Sequence, residues 1–305
     1  MTETPAPLPE LGPIVVGFDG SAQGEDALGL ALWFTRILDV PLVVAAVHPS
    51  AAAISPARVD AEWVADRHRL AERVLDGARS RIDALTGPPK RIEYRIVASS
   101  SAAHGLLDLA EELTASLIVV GSGSRATEER LFAGSTAERL LSGSPCPVAV
   151  APSGARNRSS SALTRIGVAY IDVPEATAAL EVAARLARRT SAELRLYTVV
   201  ADEAEVLPLL IGRDAERAFL ATAREQYQFA LDTAIAGLPP GVQATGQILT
   251  GDVVEVLAEL DEDHIDVLFC GSRGYGPVRS VLLGGVSSRL VRTARSPLVV
   301  VPRGS

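Results

Sequence analysis

Lysine is almost absent from this sequence. Lys90 is the single lysine among 29 basic residues, and all the others are arginine. A Walker A loop needs a lysine at the end of its glycine-rich turn, and neither glycine-rich stretch of this chain contains one. A phosphate group bound here would therefore be held by backbone N–H groups, hydroxyls and arginine.

Cysteine is also scarce, and acidic residues outnumber basic ones. Cys146 and Cys270 do not occupy equivalent positions of the repeat described below, and each lies in or beside a predicted buried strand. This placement predicts packing thiols rather than a disulfide or a metal pair. The formal net charge of −8 argues against binding to nucleic acid, because such proteins concentrate lysine and arginine on one face.

Long apolar runs are missing as well. No run approaches the roughly 20 apolar residues of a transmembrane helix. The first residues are acidic and rich in proline, without the apolar segment of a signal peptide. We therefore expect a cytoplasmic protein that has neither a membrane nor a nucleic acid as its partner.

An internal repeat organises the rest of the sequence. Each copy consists of a short apolar run, a glycine-rich loop and a helix-like segment, and the copies lie 150 residues apart. The first and last glycines of each loop are separated by 13 residues, as Gly121 and Gly134 in one copy and Gly271 and Gly284 in the other. A strand, a glycine-rich loop and a helix N-terminus in this order form an anion site, because unpaired N–H groups converge there.

Length and composition agree with two similar domains. A chain of 305 residues is long for one ordinary domain, and a hydrophobic content of 48% supplies a core for each half. Residues 152–161 are small and polar without periodicity, as in a linker. We predict one domain over residues 1–153 and a second over residues 162–305.

Strands and helices alternate within each half. The predicted strands are residues 13–19, 41–47, 91–97, 116–120 and 147–150, then 165–170, 193–200, 242–249, 266–270 and 297–301. The segments between them have helical periodicity. This order predicts an α/β fold of two tandem doubly wound domains, each a five-stranded parallel sheet flanked by helices in a Rossmann-like arrangement.

The final strand of each half is short, apolar and at the edge of its predicted sheet. An unpaired edge would expose a row of N–H and C=O groups beside hydrophobic side chains. We therefore predict that residues 147–150 pair with residues 297–301, which makes the chain an intramolecular pseudo-dimer. A homodimer of two such chains is compatible with this pairing.

The loops after the first and fourth strands of a doubly wound sheet face each other, and ligands bind between them. In the first half this places Asp19 near Gly121. Asp19 is expected to supply a buried acceptor for an adenine or ribose group, while Gly121 and Gly134 let the backbone approach phosphates that the hydroxyl and N–H of Ser135 can bind. The geometry suits a nucleotide.

Three separated motifs carry a resemblance to a known family. They are the Gly-x2-Gly-x9-Gly-Ser/Thr loop, the opening strand that ends in Asp-Gly-Ser, and the Cys-Pro-Val closing strand, and together they resemble the universal stress protein family in tandem. In that family the loop binds ATP in some members and no nucleotide in others. The resemblance implies nucleotide-binding residues Asp19, Val47, Gly121, Ser124, Gly134, Ser135 and Thr136, and in the second half Gly271, Gly274, Gly284 and Gly285.

The two halves depart from the family pattern differently. The first has Ser124 where the second loop glycine belongs, and a serine can supply the same N–H group. The second has Gly285 in place of the hydroxyl residue and lacks Asp-Gly-Ser. If Ala176 sets the register, Ile171 occupies the aspartate position, although a shift by one residue would place Asp172 there.

Three function classes follow from these features. The leading one is an ATP-binding stress-response or signalling module that presents a nucleotide-dependent surface to an unidentified protein partner. The second is a nucleotide-free interaction protein. An enzyme such as a slow ATPase has least support, because Ser21 fits a helix cap better than a nucleophile and no ligand motif for Mg²⁺ or another metal is present. The histidines have no mutual spacing that would form a catalytic cluster; they are His48, His68, His104 and His264.

Overall fold

The computed structural model of this chain describes residues 11–50, 61–85, 91–122, 135–157, 162–200, 213–272 and 285–302. The strands are β1 Ile14–Gly17, β2 Leu42–Pro49, β3 Ile92–Ser99, β4 Leu117–Gly121, β5 Val148–Ala151, β6 Arg165–Ala169, β7 Glu193–Val200, β8 Ala244–Thr250, β9 Val267–Gly271 and β10 Leu298–Val301. The helices are α1 Ala22–Leu38, α2 Ala61–Asp83, α3 Ala102–Glu112, α4 Ser135–Leu141, α5 Pro174–Thr190, α6 Arg213–Ala236, α7 Val253–Ala258 and α8 Gly285–Thr293.

All described strands belong to one sheet of ten strands, in the order β3-β2-β1-β4-β5-β10-β9-β6-β7-β8. The strands within each half are parallel to one another. β1 lies between β2 and β4 in the first half, and β6 lies between β7 and β9 in the second. Each half is thus a doubly wound parallel sheet, which confirms the predicted α/β fold class.

Helices cover both faces of the sheet, and two apolar layers result. Alternate residues of each strand point to opposite faces, so Val16 packs in one layer and Val15 in the other. Helices α1, α2, α5 and α6 contribute to the first layer, whereas α3, α4, α7 and α8 contribute to the second. The nearly continuous apolar strands of the sequence have this cause, because a parallel strand is buried on both sides.

The seam between the halves is the antiparallel pair of β5 and β10. Leu298 lies opposite Val150, Val299 opposite Ala149, and Val300 opposite Val148. Every residue of both strands is buried. The predicted pairing of the two final strands is therefore confirmed, and neither sheet edge at the seam is open to another chain.

The predicted linker contains regular structure in its described part, residues 152–157. A short 3-10 helix at Ala155–Asn157 packs on α1. The N–H of Arg156 donates to the buried carboxylate of Asp26 over 3.0 Å. A Cβ on Gly29 would lie 2.7 Å from the Arg156 Cα, so the absence of a side chain at Gly29 lets the linker approach the helix this closely.

A second difference concerns the end of β2. The sequence predicted a strand over residues 41–47, but His48 and Pro49 also belong to it and pair with Ala98 and Ser99 of β3. The proline is tolerated because β1 pairs with β2 only as far as Ala45, so this end of the strand has a neighbouring strand on one side alone.

Candidate functional site

A cleft of about 290 Å³ lies at the carboxyl ends of β1 and β4, where the order of the strands reverses. Asp19, Val47, Gly121 and Thr136, which the sequence assigned to one site, all line it. The other lining residues are Gly17, Phe18, Ser21, Gln23, Gly24, Ala45, Ala102, Leu106, Val120, Ser122 and Ala137. Residues far apart in sequence thus meet at one place, as the fold predicts.

Asp19 forms a tight turn with the start of α1. Its Oδ1 accepts the Ser21 N–H over 3.0 Å and the Ser21 hydroxyl over 2.6 Å. A Cβ on Gly24 would lie only 2.5 Å from this oxygen, so Gly24 leaves space for the carboxylate. Asp19 is exposed, however, and the expectation of a buried acceptor is wrong. The cause is the turn itself, which keeps the carboxylate on the rim of the cleft.

Ser21 is the N-cap of α1. Its backbone is extended, with φ −75° and ψ 165°, and its Oγ accepts the N–H of Gly24. This is the role that the sequence favoured over a nucleophile. The Ser21 hydroxyl donates to Asp19, and no histidine lines the cleft among the residues that the structure describes.

Gly121 is closely packed against α1. A Cβ at this position would lie 2.2 Å from the Gln23 carbonyl oxygen. The space that its missing side chain leaves is therefore filled by the first turn of α1. Gly121 positions β4 against the helix, and this packing role is one that the sequence argument did not foresee.

Ser122 is the residue that the sequence argument missed. Its side chain is 4% exposed and lines the cleft, and its Oγ has no hydrogen-bond partner among the described residues. Its N–H donates to the Ala151 carbonyl over 3.1 Å. Burying a hydroxyl without a hydrogen-bond partner costs free energy. A ligand or water that forms a hydrogen bond with it would remove that cost. The signal in the sequence was a hydroxyl directly after the first loop glycine.

The remaining predicted residues of the first half are placed only in part. Ser135 begins α4, as the repeat predicted, and Thr136 follows it in the cleft wall. Val47 lies near the carboxyl end of β2 and supplies an apolar surface. Ser124 and Gly134 lie outside the described residues.

The strand register decides between the two alignments of the second half. Val119 of β4 pairs with Val16, and Phe269 of β9 pairs with Val168. Counted from these pairs, Ile171 corresponds to Asp19. The shift that would place Asp172 there is wrong.

The turn around Ile171 differs accordingly. Ile171 packs against the apolar core, and Asp172 takes the position of Gly20. Gly20 has a φ of 77°, a conformation that Asp172 does not adopt. Val173 is the N-cap of α5 and makes no side-chain cap bond. The second half therefore lacks the carboxylate turn of the first.

At the end of β9, one contact matches the first half and another differs from it. A Cβ on Gly271 would lie 2.6 Å from the Glu175 carbonyl oxygen, so α5 fills this space as α1 does beside Gly121. The buried Ser287 hydroxyl donates to the Gly271 carbonyl over 2.6 Å, where the first half has Ala137. Gly285 begins α8, while Gly274 and Gly284 lie outside the described residues.

Metal ligation, a membrane span and reactive thiols receive no support from the described part of the chain. It contains no group of three or more histidine, cysteine or acidic side chains that could hold a metal, and no helix with the length and hydropathy of a membrane span. Both cysteines are free thiols. Burial raises the pKa of Cys146 to about 11 and that of Cys270 to about 12, so both remain protonated and unreactive.

Comparisons with known proteins point to one family. The model of the Universal stress protein family matches residues 10–152 and again residues 163–302. A universal stress protein of Mycobacterium tuberculosis is 30% identical over 291 residues, which cover 95% of this chain and 99% of that protein.

A solved structure that covers nearly the whole chain agrees on the fold. A universal stress protein from Archaeoglobus fulgidus has a TM-score of 0.67 at 22% identity and covers 96% of this chain, with 98% of its own chain aligned. Another universal stress protein was crystallised in complex with cAMP, and 99% of it aligns with 47% of this chain at 23% identity and a TM-score of 0.33.

Proposed function

Because the chain belongs to the universal stress protein family in tandem form, we propose that it is an adenine nucleotide-binding stress-response module with ATP as its ligand in the first half. The nucleotide occupies the cleft at the carboxyl ends of β1 and β4. Occupancy changes the surface that a protein partner recognises, and hydrolysis is not part of this proposal.

The observation that carries the proposal is the convergence on this cleft of an exposed carboxylate, an unpartnered hydroxyl and an apolar wall. Asp19 can accept from a ribose hydroxyl or an adenine amine through its Oδ2, which accepts no hydrogen bond from the described residues. Val47 offers an apolar contact for the base. The Ser122 hydroxyl lines the same cleft as Thr136, and it can donate to phosphate or ribose oxygens there.

The second half supports the proposal by contrast. Ile171 replaces the carboxylate of Asp19, and the Ser287 hydroxyl is already paired with a backbone carbonyl. The features that suit a polar ligand in the first half are thus replaced by packing in the second. We assign the nucleotide to the first half and a nucleotide-free role to the second.

A first experiment asks whether the purified chain retains a nucleotide. The protein is denatured, and the supernatant is analysed by chromatography for ATP, ADP, AMP and cAMP. Isothermal titration of the emptied protein with ATP, with and without Mg²⁺, then gives the affinity. If neither experiment detects an adenine nucleotide, the alternative of a nucleotide-free interaction protein is correct and the proposal is wrong.

A second experiment locates the site. Asp19→Ala is expected to weaken ATP binding by about 1 kcal/mol, roughly fivefold, because an exposed hydrogen bond contributes less than a buried one. Asp19→Asn keeps an oxygen that can accept from Ser21 but removes the negative charge. It therefore tests the charge separately from the turn. The matched control is Asp172→Ala, an exposed carboxylate one position away from the corresponding place in the second half. Equal losses in Asp19→Ala and Asp172→Ala would contradict the assignment to the first half.

A further inference from the structure

A second cavity, of about 270 Å³, lies at the seam between the halves. Ile14 and Leu117 of the first half and Phe269 and Val299 of the second contribute to its wall. Its other lining residues are Leu11, Phe34, Leu38, Ala115, Ser116, Pro145, Cys146, Pro147, Val182, Arg185, Leu186 and Arg189. The wall is almost entirely apolar, and it is complete only when both halves are joined.

This cavity is separate from the nucleotide cleft. Leu11 and Ser116 precede β1 and β4, so the cavity lies at the amino ends of the two strands. Asp19 and Gly121 lie at their carboxyl ends. A ligand in the seam cavity would therefore share no contact residue with a nucleotide, because the two sets of lining residues do not overlap.

The two halves differ at this place. Helices α1 and α5 both have 17 residues, and Asp39 and Ser191 end them in the same left-handed conformation. In this alignment Arg185 corresponds to Trp33. The indole of Trp33 is 6% exposed and packs in the core, whereas Arg185 is exposed and lines the cavity. At this position α1 therefore has a large apolar side chain, whereas α5 has a cation.

The charge of the rim indicates the ligand. Arg185 and Arg189 lie one helical turn apart on α5, and both line the cavity. Among the residues that the structure describes, no acidic side chain lines the cavity. A guanidinium group at the mouth of an apolar cavity complements a carboxylate that carries a hydrocarbon chain. The cavity volume of about 270 Å³ and the apolar wall suit a slender hydrocarbon chain.

We propose that the seam cavity binds a small anionic amphiphile, a carboxylate with an apolar chain of medium length. The chain packs against the partly exposed apolar residues Leu11, Leu38 and Val182, and the carboxylate pairs with Arg185 at the rim. Binding links the two halves, since residues from both contact the same chain. The site is independent of the proposed nucleotide site.

Decanoate, below its micelle concentration, is the probe for this site. Isothermal titration of the full chain should show binding of one decanoate per chain. Decanol has the same chain without the charge and should bind about tenfold more weakly. Arg185→Gln should weaken decanoate by a similar factor and remove most of the difference between the two probes. Failure of the full chain to bind decanoate would overturn the proposal.

Two variants separate the cavity from the surrounding surface. Val182→Trp places a large side chain in the wall and should abolish binding of both probes, provided that circular dichroism and thermal unfolding match those of the parent. Arg36→Gln, which removes an exposed cation of α1 outside the cavity, should leave both affinities unchanged. Binding that survives in folded Val182→Trp would place the amphiphile elsewhere and overturn the proposal.

A second copy of the chain as the occupant of the cavity is distinguished by mass. If a second copy of the chain covers it, light scattering will show a dimer that Val182→Trp converts to a monomer, and the proposal is then wrong.

Discussion

Replacing Gly121 with alanine tests whether the first loop glycine serves packing or ligand binding. The new Cβ would lie 2.2 Å from the Gln23 carbonyl oxygen and 2.6 Å from its carbonyl carbon. These are backbone atoms in the first turn of a helix that Ser21 caps, so they cannot rotate away as a side chain would. We expect Gly121→Ala to lower the free energy of unfolding by about 3 kcal/mol, at the upper end for an overpacked core.

The expected change in melting temperature follows from the size of the unfolding unit. An unfolding entropy of about 2.1 cal/mol/K per residue gives roughly 0.6 kcal/mol/K for the whole chain. A loss of 3 kcal/mol then lowers Tm by about 5 °C if both halves unfold together, and by about 10 °C if the first half unfolds alone. Differential scanning calorimetry measures Tm and shows whether there are one or two transitions.

Two further variants are the controls. Gly271→Ala should destabilise the chain in the same way, because its Cβ would lie 2.6 Å from the Glu175 carbonyl oxygen in the half that lacks the carboxylate turn. Gly77→Ala in α2 has nothing within 4 Å of the new Cβ and should stabilise by about 0.5–1 kcal/mol through helix propensity. The reasoning is refuted if Gly121→Ala loses ATP affinity while its Tm equals that of the parent.

Three other predictions follow from the fold and the thiol and carboxylate chemistry. Backbone amides of β5 and β10 should exchange with deuterium as slowly as those of β4 and β9, and fast exchange in either seam strand would mean that the seam opens. Iodoacetamide at pH 8 should label neither Cys146 nor Cys270 until the chain is denatured, because burial raises both pKa values to about 11 and 12; rapid labelling of the native chain would contradict this burial. The hydrogen bond with His264 lowers the pKa of Asp261, so its stabilisation is present at neutral pH and is lost as the pH falls through that lowered pKa; Asp261→Asn should therefore lower Tm more at pH 7 than at acid pH, and an equal loss across the whole range would show that its charge is irrelevant.

Local patterns predicted the architecture well because each pattern has a local cause. Buried parallel strands require continuous apolar runs, and the repeat of the glycine spacing identified equivalent loops in the two halves. The pairing of the final strands could also be argued from the sequence, since an apolar edge needs a partner. Even the correspondence of Ile171 to Asp19 followed from the spacing of the alanines in α5.

Contacts between distant residues were beyond the reach of that reasoning. The N–H of Arg156 donates a hydrogen bond to Asp26, which lies 130 positions away in sequence, and no motif near Arg156 predicts this contact. The space beside Gly121 is filled by Gln23 because of where the helix enters, which the glycine motif alone cannot reveal. The exposure of Asp19 depends on its turn with Ser21. Local sequence thus predicted which residues line the cleft, whereas the arrangement of its atoms depended on tertiary packing.

The linker docked on α1 has a consequence for stoichiometry. Two separate subunits meet according to their concentrations, and identical subunits give a symmetric pair. Here one covalent chain supplies both sides of the seam, and the tether raises the local concentration of each half for the other to the order of millimolar or more. A half with a carboxylate turn is therefore always joined to a half without one, in a ratio of one to one at any level of expression.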